Sequence, residues 1–129
     1  MESLMRKGLI LFLSCFLILQ FACAQEEKTD LNQWDFGRAK PGAVLKHDFV
    51  LKNETQDILR INNIHSSCGC IASSADKKSL MPQESTAITV SFNSRGYSGS
   101  VTQFVYVDTD NPDLAIIKFT IKAQVVKED

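Results

Sequence analysis

The chain has 129 residues and a formal net charge of −1, because 14 Lys and Arg side chains are nearly balanced by 15 Asp and Glu side chains. Without a basic surplus the chain has no charged stripe that would follow a phosphate backbone, so nucleic acid is excluded as a partner class. The four cysteines do not form a disulfide-rich scaffold, because the two that fall in the predicted domain are near neighbours.

The N-terminus predicts export from the cytoplasm. Arg6 and Lys7 form a basic start, and residues 8–21 are an almost unbroken apolar run. That run is shorter than the ~20 apolar residues of a membrane-spanning helix. It has the length and the basic flank of a secretory signal peptide. The expected location is therefore the periplasm or the outer cell envelope.

Two kinds of processing fit the end of this signal. Ala22-Cys23-Ala24 has the small-residue pattern of a signal peptidase site, which predicts a cleaved signal peptide over residues 1–24 and Gln25 as the first mature residue. Lipoprotein processing would instead cut before Cys23 and attach lipid to it, although the two residues before Ala22 depart from a good lipobox. Contact with a membrane is expected only through lipid on Cys23.

Residues 25–30 are predicted to be a flexible tether, and residues 31–127 to form one domain. Within the domain, apolar and polar residues alternate, which is typical of half-buried strands. No segment has the 3.6-residue periodicity of a helix. The strands are predicted, in chain order, at residues 34–36, 44–51, 58–64, 87–92, 101–107 and 114–126, with a further extended piece at 71–72.

Turn signals separate the predicted strands. One of them, Asn53-Glu54-Thr55, is expected to be a turn in which the Asn and Thr side chains make local hydrogen bonds. About seven strands with a turn about every 8–12 residues is the pattern of an antiparallel sandwich. The predicted fold class is therefore all-β, an immunoglobulin-like antiparallel sandwich of about seven strands after a cleaved signal peptide. Trp34 and Phe36 are expected to be core anchors of the sandwich.

Cys68-Gly69-Cys70 is the segment with the most specific chemistry. Two thiols one residue apart can form a tight disulfide, a redox couple or part of a metal site, and in an oxidising compartment they are expected to be bonded or metal-bound. Gly69 is expected to permit the tight backbone that brings the two Cα atoms within ~7 Å. Loop entropy gives such a disulfide only ~1.5 kcal/mol. The disulfide therefore stabilises the fold only weakly and is expected to be reducible.

A metal site is the alternative use of the same segment. His65 lies three residues before Cys68, so His65, Cys68 and Cys70 offer one imidazole and two thiolates to copper(I) or zinc. Met81 is the conceivable fourth donor. The competing interpretation of His65 is a solvated residue at a strand end, which leaves the protein without a cofactor. His47 is expected to occupy an outward polar position on its strand.

Four segments also point to a family. They are Trp34-Asp35-Phe36-Gly37, Phe49-Val50-Leu51-Lys52-Asn53, Ser67-Cys68-Gly69-Cys70 and Thr109-Asp110-Asn111-Pro112, in this order. In this order they resemble bacterial domain-of-unknown-function family 1573. The chain departs from that family at Ile71, where Thr is usual, and at Gln83, where Gly is usual. The resemblance implies an immunoglobulin-like sandwich, akin to major-sperm-protein and cilia-associated domains, in exported proteins or lipoproteins, and it implies no established reaction.

The sequence supports two hypotheses about function. The sequence contains no Ser/His/Asp constellation, no obvious carboxylate pair and no Gly-rich phosphate loop, so it favours a protein that is not an enzyme. The first hypothesis is a binding or structural module of the cell envelope, with an unidentified envelope protein as its partner. The second is a thiol site at Cys68 and Cys70, with His65, that binds copper or carries out redox chemistry.

Overall fold

The computed structural model describes residues 30–127. The predicted signal peptide, Cys23 and residues 25–29 of the predicted tether lie outside the described residues. The strands are β1 (Gln33–Ala39), β2 (Val44–Lys52), β3 (Leu59–Ser66), β4 (Ile71–Ala75), β5 (Ser79–Leu80), β6 (Ser85–Asn93), β7 (Gly99–Thr109) and β8 (Ile116–Val125).

The strands form two sheets. The larger sheet has the order β1-β8-β7-β3-β5 and the smaller has the order β2-β6-β4. Every pair is antiparallel except β1, which runs parallel to β8. The predicted all-β, immunoglobulin-like sandwich is therefore confirmed. Within residues 30–127 there is no helix with the length and apolar character needed to cross a membrane.

The core lies between the two sheets because successive side chains of a strand point to opposite faces. In β6, Thr86, Ile88, Val90 and Phe92 are buried, whereas the residues between them are only half-buried. The rings of Phe49 and Phe119, from opposite sheets, have centroids 4.8 Å apart. Both are essentially inaccessible to solvent, and burying a phenylalanine of this kind contributes about 1.5–3 kcal/mol.

Two of the differences between the predicted and observed strands have a clear physical reason. The two-residue strand β5 was not predicted because it is too short to show a period, although Leu80 is fully buried. β8 begins at Ile116 rather than at residue 114, because a 3-10 turn occupies Pro112–Leu114. Asn111 caps that turn, since its Oδ1 accepts a hydrogen bond from the Asp113 backbone N–H at 2.8 Å.

The prediction that Trp34 is a core anchor is wrong. Its side chain remains 43% exposed, whereas Phe36 packs partly against the core. Trp34 is paired with the buried Ile121 and therefore points to the core side of its sheet. However, β1 is an edge strand of the five-stranded sheet, and the ring of Trp34 stacks on His47 of β2 instead of entering the core.

The turn after β2 is held by one buried amide, as predicted. Asn53 is completely buried. Its Nδ2 donates to the carbonyl oxygens of Asp57 at 2.8 Å and Leu80 at 2.9 Å. Its Oδ1 accepts from the backbone N–H and the hydroxyl of Thr55, at 3.0 and 2.6 Å. Asn53 therefore fixes the 53–57 turn and joins it to the end of β5.

Replacing Asn53 with Ala is expected to lower the free energy of unfolding by about 2–4 kcal/mol, because the carbonyl of Leu80 loses a buried donor. Urea denaturation of the purified chain measures the loss. The exposed Asn63 on β3 provides the matched control, and Asn63→Ala is expected to change stability by less than about 0.5 kcal/mol. Equal losses in the two variants would show that the buried amide has no special role.

Candidate functional site

The segment between β3 and β4 carries the two cysteines and crosses from the five-stranded to the three-stranded sheet. A disulfide joins Cys68 to Cys70, whose Cα atoms are 5.2 Å apart. Both cysteines are half-buried and pack partly against the core, while Gly69 between them is exposed. The disulfide therefore lies near the surface of the sandwich, in the connection between the two sheets.

Both flanks of this disulfide turn, residues 67–70, are fixed by backbone hydrogen bonds. The Ser67 N–H donates to the carbonyl oxygen of Phe104 on β7 at 2.9 Å, and the Asn93 N–H donates to the carbonyl oxygen of Cys70 at 2.9 Å. The Ser66 hydroxyl donates to the carbonyl oxygen of Cys68 at 2.7 Å. These hydrogen bonds tie the turn to strands of both sheets.

A tyrosine hydroxyl contacts one of the two sulfurs. Tyr97 donates a hydrogen bond from its hydroxyl to Cys70 Sγ, with the heavy atoms 3.2 Å apart. Its ring packs edge-on against Phe92, with centroids 5.5 Å apart, and its backbone N–H donates to the Ser94 carbonyl oxygen at 3.1 Å. The hydroxyl is therefore held in place by both the core and the 93–99 loop.

Gly69 does not have the role that the sequence predicted for it. Its φ lies outside the left-handed region, unlike the φ values of Gly37, Gly42, Gly96 and Gly99, and a Cβ atom placed on it would meet no heavy atom within 4 Å. An L-amino acid can therefore adopt this backbone conformation. The disulfide turn does not require glycine.

Gly69→Ala is expected to leave the fold and the disulfide intact and to raise the free energy of unfolding by about 0.4–1 kcal/mol, because alanine restricts the unfolded chain. Intact mass confirms the disulfide and urea denaturation gives the stability. Gly42→Ala is the control, since φ at Gly42 is +83°. It is expected to cost about 1–2 kcal/mol. A loss at Gly69 as large as that at Gly42 would contradict this account.

His65 does not lie with the cysteines in a metal-binding arrangement. It is exposed, its Nδ1 is 3.5 Å from Asp108 Oδ2, and its ring stacks on Tyr106. Among residues 30–127 no three His, Cys, Asp or Glu side chains come together as a metal site. Met81 is exposed in the turn after β5. Binding of copper(I) or zinc by His65, Cys68 and Cys70 therefore stays a prediction for the reduced protein.

A second candidate site, missed from the sequence, is an apolar groove between residues 30–34 and strand β2. It has a volume of about 530 Å³. Three apolar side chains line it and stay exposed, namely Leu31 at 82%, Trp34 at 43% and Val50 at 67%. Exposed apolar side chains that cluster in one concave place mark contact surfaces more often than isolated ones do.

Strand β2, which forms one wall of this apolar groove, is an edge strand. All nine of its residues are in register with β6 on one side, and within residues 30–127 no strand pairs with its other side. In an antiparallel ladder alternate residues direct their N–H and C=O groups to the same partner. The outer side of β2 therefore presents backbone donors and acceptors beside the groove.

His47 lines the apolar groove and shares the core-facing side of β2 with Phe49 and Leu51, so the prediction that it occupies an outward polar position is wrong. Its ring stacks on Trp34 with centroids 4.1 Å apart and planes 7° apart, and it meets the edge of Phe49. Desolvation by burial lowers the pKa of His47 below 6.5, and the opposing charge of Asp48 raises it by less. His47 thus tends to be neutral under Trp34.

The lowered pKa of His47 makes stability depend on pH. Because the unfolded chain binds the proton more tightly than the folded chain, stability rises with pH. The contribution of His47 is complete above about pH 6.5 and decreases as the pH falls toward the lower folded pKa. The urea midpoint is expected to fall between about pH 7.5 and pH 5.5. His47→Phe, which keeps a ring under Trp34, is expected to reduce that fall. A slope unchanged in this variant would contradict the assignment.

The sequence does contain a sign of the apolar groove, which appears when the alternation of side chains along a strand is taken into account. Phe49 and Leu51 face the core, so His47 shares their face and Val50 points outward. An apolar residue at an outward position is the signal that sequence reasoning missed. What the sequence could not show is that Trp34, on the other sheet, lies beside His47.

Comparison with protein families supports the family resemblance noted above. The profile of the family described as "Protein of unknown function (DUF1573)" matches residues 28–125. The match covers most of the chain, and this chain belongs to that family.

Solved structures agree on the fold. The chain is similar to a protein of unknown function from Porphyromonas gingivalis W83, with 16% identity and a TM-score of 0.65 over 73% of this chain and 44% of that chain. It is also similar to the ASH / PapD-like domain 7 of human CEP192, with 14% identity and a TM-score of 0.61 over 76% and 83% of the two chains. A third similar structure is SSP-19, an MSP-domain protein like family member of Caenorhabditis elegans, with 12% identity and a TM-score of 0.52 over 73% and 95%.

These similarities show the fold alone, because all three identities are low. The chain spans less than half the length of the Porphyromonas gingivalis protein. Among curated proteins none matches the chain.

Proposed function

We propose that this chain is an exported binding module of the cell envelope, and that it binds an extended peptide segment of an envelope protein in the apolar groove. The observation that carries the proposal is the exposure of Leu31, Trp34 and Val50 in one concave surface. The free side of β2 lies next to these side chains.

The backbone of β2 supports an extended occupant. A peptide that adds as a strand to an open sheet edge gains main-chain hydrogen bonds, and pockets for alternate side chains select its sequence. β2 is nine residues long, which exceeds the usual strand of about 5–6 residues. Trp34 and Val50 provide the apolar surface for such side chains. A strand beside β2 would also satisfy the backbone groups that now face solvent.

The charged residues that line the groove indicate which kind of peptide would bind there. Among residues 30–127, the charged side chains that line it are Asp30, Asp48, Glu54 and Lys52, and His47 lines it with a lowered pKa. Acidic side chains beside exposed apolar ones favour a partner with basic side chains, because complementary charge speeds association and excludes acidic competitors. The proposed occupant is therefore an extended segment in which apolar and basic residues alternate.

The envelope location rests on the N-terminal sequence. The basic start and apolar run of the predicted signal direct the chain out of the cytoplasm. A disulfide between Cys68 and Cys70 fits an oxidising compartment. Lipid on Cys23 would place the groove close to a membrane, whereas cleavage before Gln25 would release the domain into the periplasm.

Peptide selection tests the proposed groove. The exported chain is immobilised and screened against a displayed library of random linear peptides. The selected sequences are expected to alternate apolar with Lys or Arg residues. Val50→Ser is expected to weaken their binding about tenfold, because about 1.5 kcal/mol of apolar burial is lost. Isothermal titration with one selected peptide measures the change.

A matched control separates the groove from general surface effects. Ile116 on β8 is 64% exposed, close to the 67% of Val50, and lies outside the groove. Ile116→Ser is expected to leave peptide affinity unchanged. Equal losses in the two variants, or selected peptides rich in acidic residues, would exclude this proposal.

A further inference from the structure

We propose that the Cys68–Cys70 disulfide is a directional site of thiol–disulfide exchange, in which an incoming thiolate attacks Cys68 and Cys70 departs as the thiolate. The substrate class is a pair of accessible cysteine thiols on another exported protein. This activity uses a different part of the molecule from the apolar groove, and it does not depend on the peptide binding proposed above.

The exchange is balanced in two steps. A substrate thiolate attacks Cys68 Sγ, so a mixed disulfide forms, the Cys68–Cys70 bond breaks, and its electron pair goes to Cys70 Sγ. The second thiolate of the substrate then attacks the substrate sulfur of the mixed disulfide, which forms the substrate's disulfide and releases the Cys68 thiolate. Two electrons pass from the substrate to the Cys68–Cys70 pair, and solvent protonates the released thiolates as pH requires.

The direction comes from Tyr97. Its hydroxyl donates a hydrogen bond to Cys70 Sγ at 3.2 Å, and among residues 30–127 it is the donor that reaches either cysteine sulfur. A hydrogen bond to the charged form stabilises that form, and a better-stabilised thiolate leaves faster. Tyr97 thus favours bond cleavage with the charge on Cys70 rather than on Cys68. Because Phe92 and the 93–99 loop fix the ring, the hydroxyl is already in place before attack.

The fold permits the disulfide to open without unfolding. Closing a loop of three residues removes little entropy from the unfolded chain, so little stability is lost when it opens. Hydrogen bonds from Ser67 to Phe104 and from Asn93 to Cys70 hold both flanks independently of the sulfurs. The reduced thiols would therefore stay close together and able to form the bond again.

The disulfide turn is also open to a substrate. Gly69 at its tip is exposed, and the space where its side chain would be is free within 4 Å. Cys68 is half-buried, so part of the residue stays accessible to an incoming thiolate. Attack at a sulfur depends on such access as well as on the leaving group.

The test uses the exported chain with its disulfide intact and reduced glutathione as the probe. After brief exposure, the reaction is quenched with acid, free thiols are alkylated with a maleimide, and peptide mass spectrometry locates each adduct. Glutathione is expected mainly on Cys68 and maleimide on Cys70. Tyr97→Phe removes only the hydroxyl. It is expected to slow reduction about tenfold and to make the amounts of glutathione on Cys68 and Cys70 more nearly equal.

Tyr106→Phe is the matched control, since Tyr106 lies beside His65 and not at the disulfide. It is expected to keep the wild-type rate and adduct pattern. Equal labelling of Cys68 and Cys70 in the wild type, or a rate unchanged in Tyr97→Phe, would overturn the proposal.

A second measurement separates exchange from a structural role. A variant with both Cys68→Ser and Cys70→Ser is expected to remain folded, with a melting temperature lower by no more than about 10 °C. Reduction of the wild-type chain is expected to be much faster than its unfolding. If the double variant fails to fold, or if glutathione reacts only as fast as the chain unfolds, the disulfide is a structural staple and the proposal fails.

Discussion

The structure depends on one constraint, which is that the apolar faces of two sheets of unequal width must cover one another. Five strands face three, and the side chains that meet in the middle, such as Phe49 and Phe119, are fully buried. At the edge strands, the two sheets cover each other less completely. Trp34 points to the core side of the wider sheet from its edge strand, where the ring stacks on His47 of β2 and stays 43% exposed.

Much of the fold could be predicted from the sequence because the alternation of apolar and polar residues is regular. It gave the class of fold and the longer strands, since a period of two in segments such as 87–92 has one simple explanation. It could not reveal β5, where two residues carry no period. It also could not show that β1 pairs in parallel with β8, because the pairing of distant strands leaves no local pattern in the chain.

The candidate sites, like the fold, could be predicted only in part. The two cysteines could be found from their residue type and spacing alone. Their surroundings could not, because Tyr97 reaches Cys70 from a loop 27 residues away in sequence. The expected role of Gly69 was wrong for a related reason. Spacing suggested a tight turn that needs glycine, whereas φ at Gly69 is open to other residues and the flanks of the turn are held by hydrogen bonds to β7 and from Asn93.

The parallel pairing of β1 with β8 has a mechanical consequence. Gln33 lies beside Thr120, and Ala39 lies beside Val125, so the first strand enters at one end of the sandwich and the last strand leaves at the other. A force that pulls these two ends apart would slide β1 along β8 and load their hydrogen bonds together rather than one after another. The first and last strands of this domain would then be loaded in shear, with the hydrogen bonds between them sharing the tension.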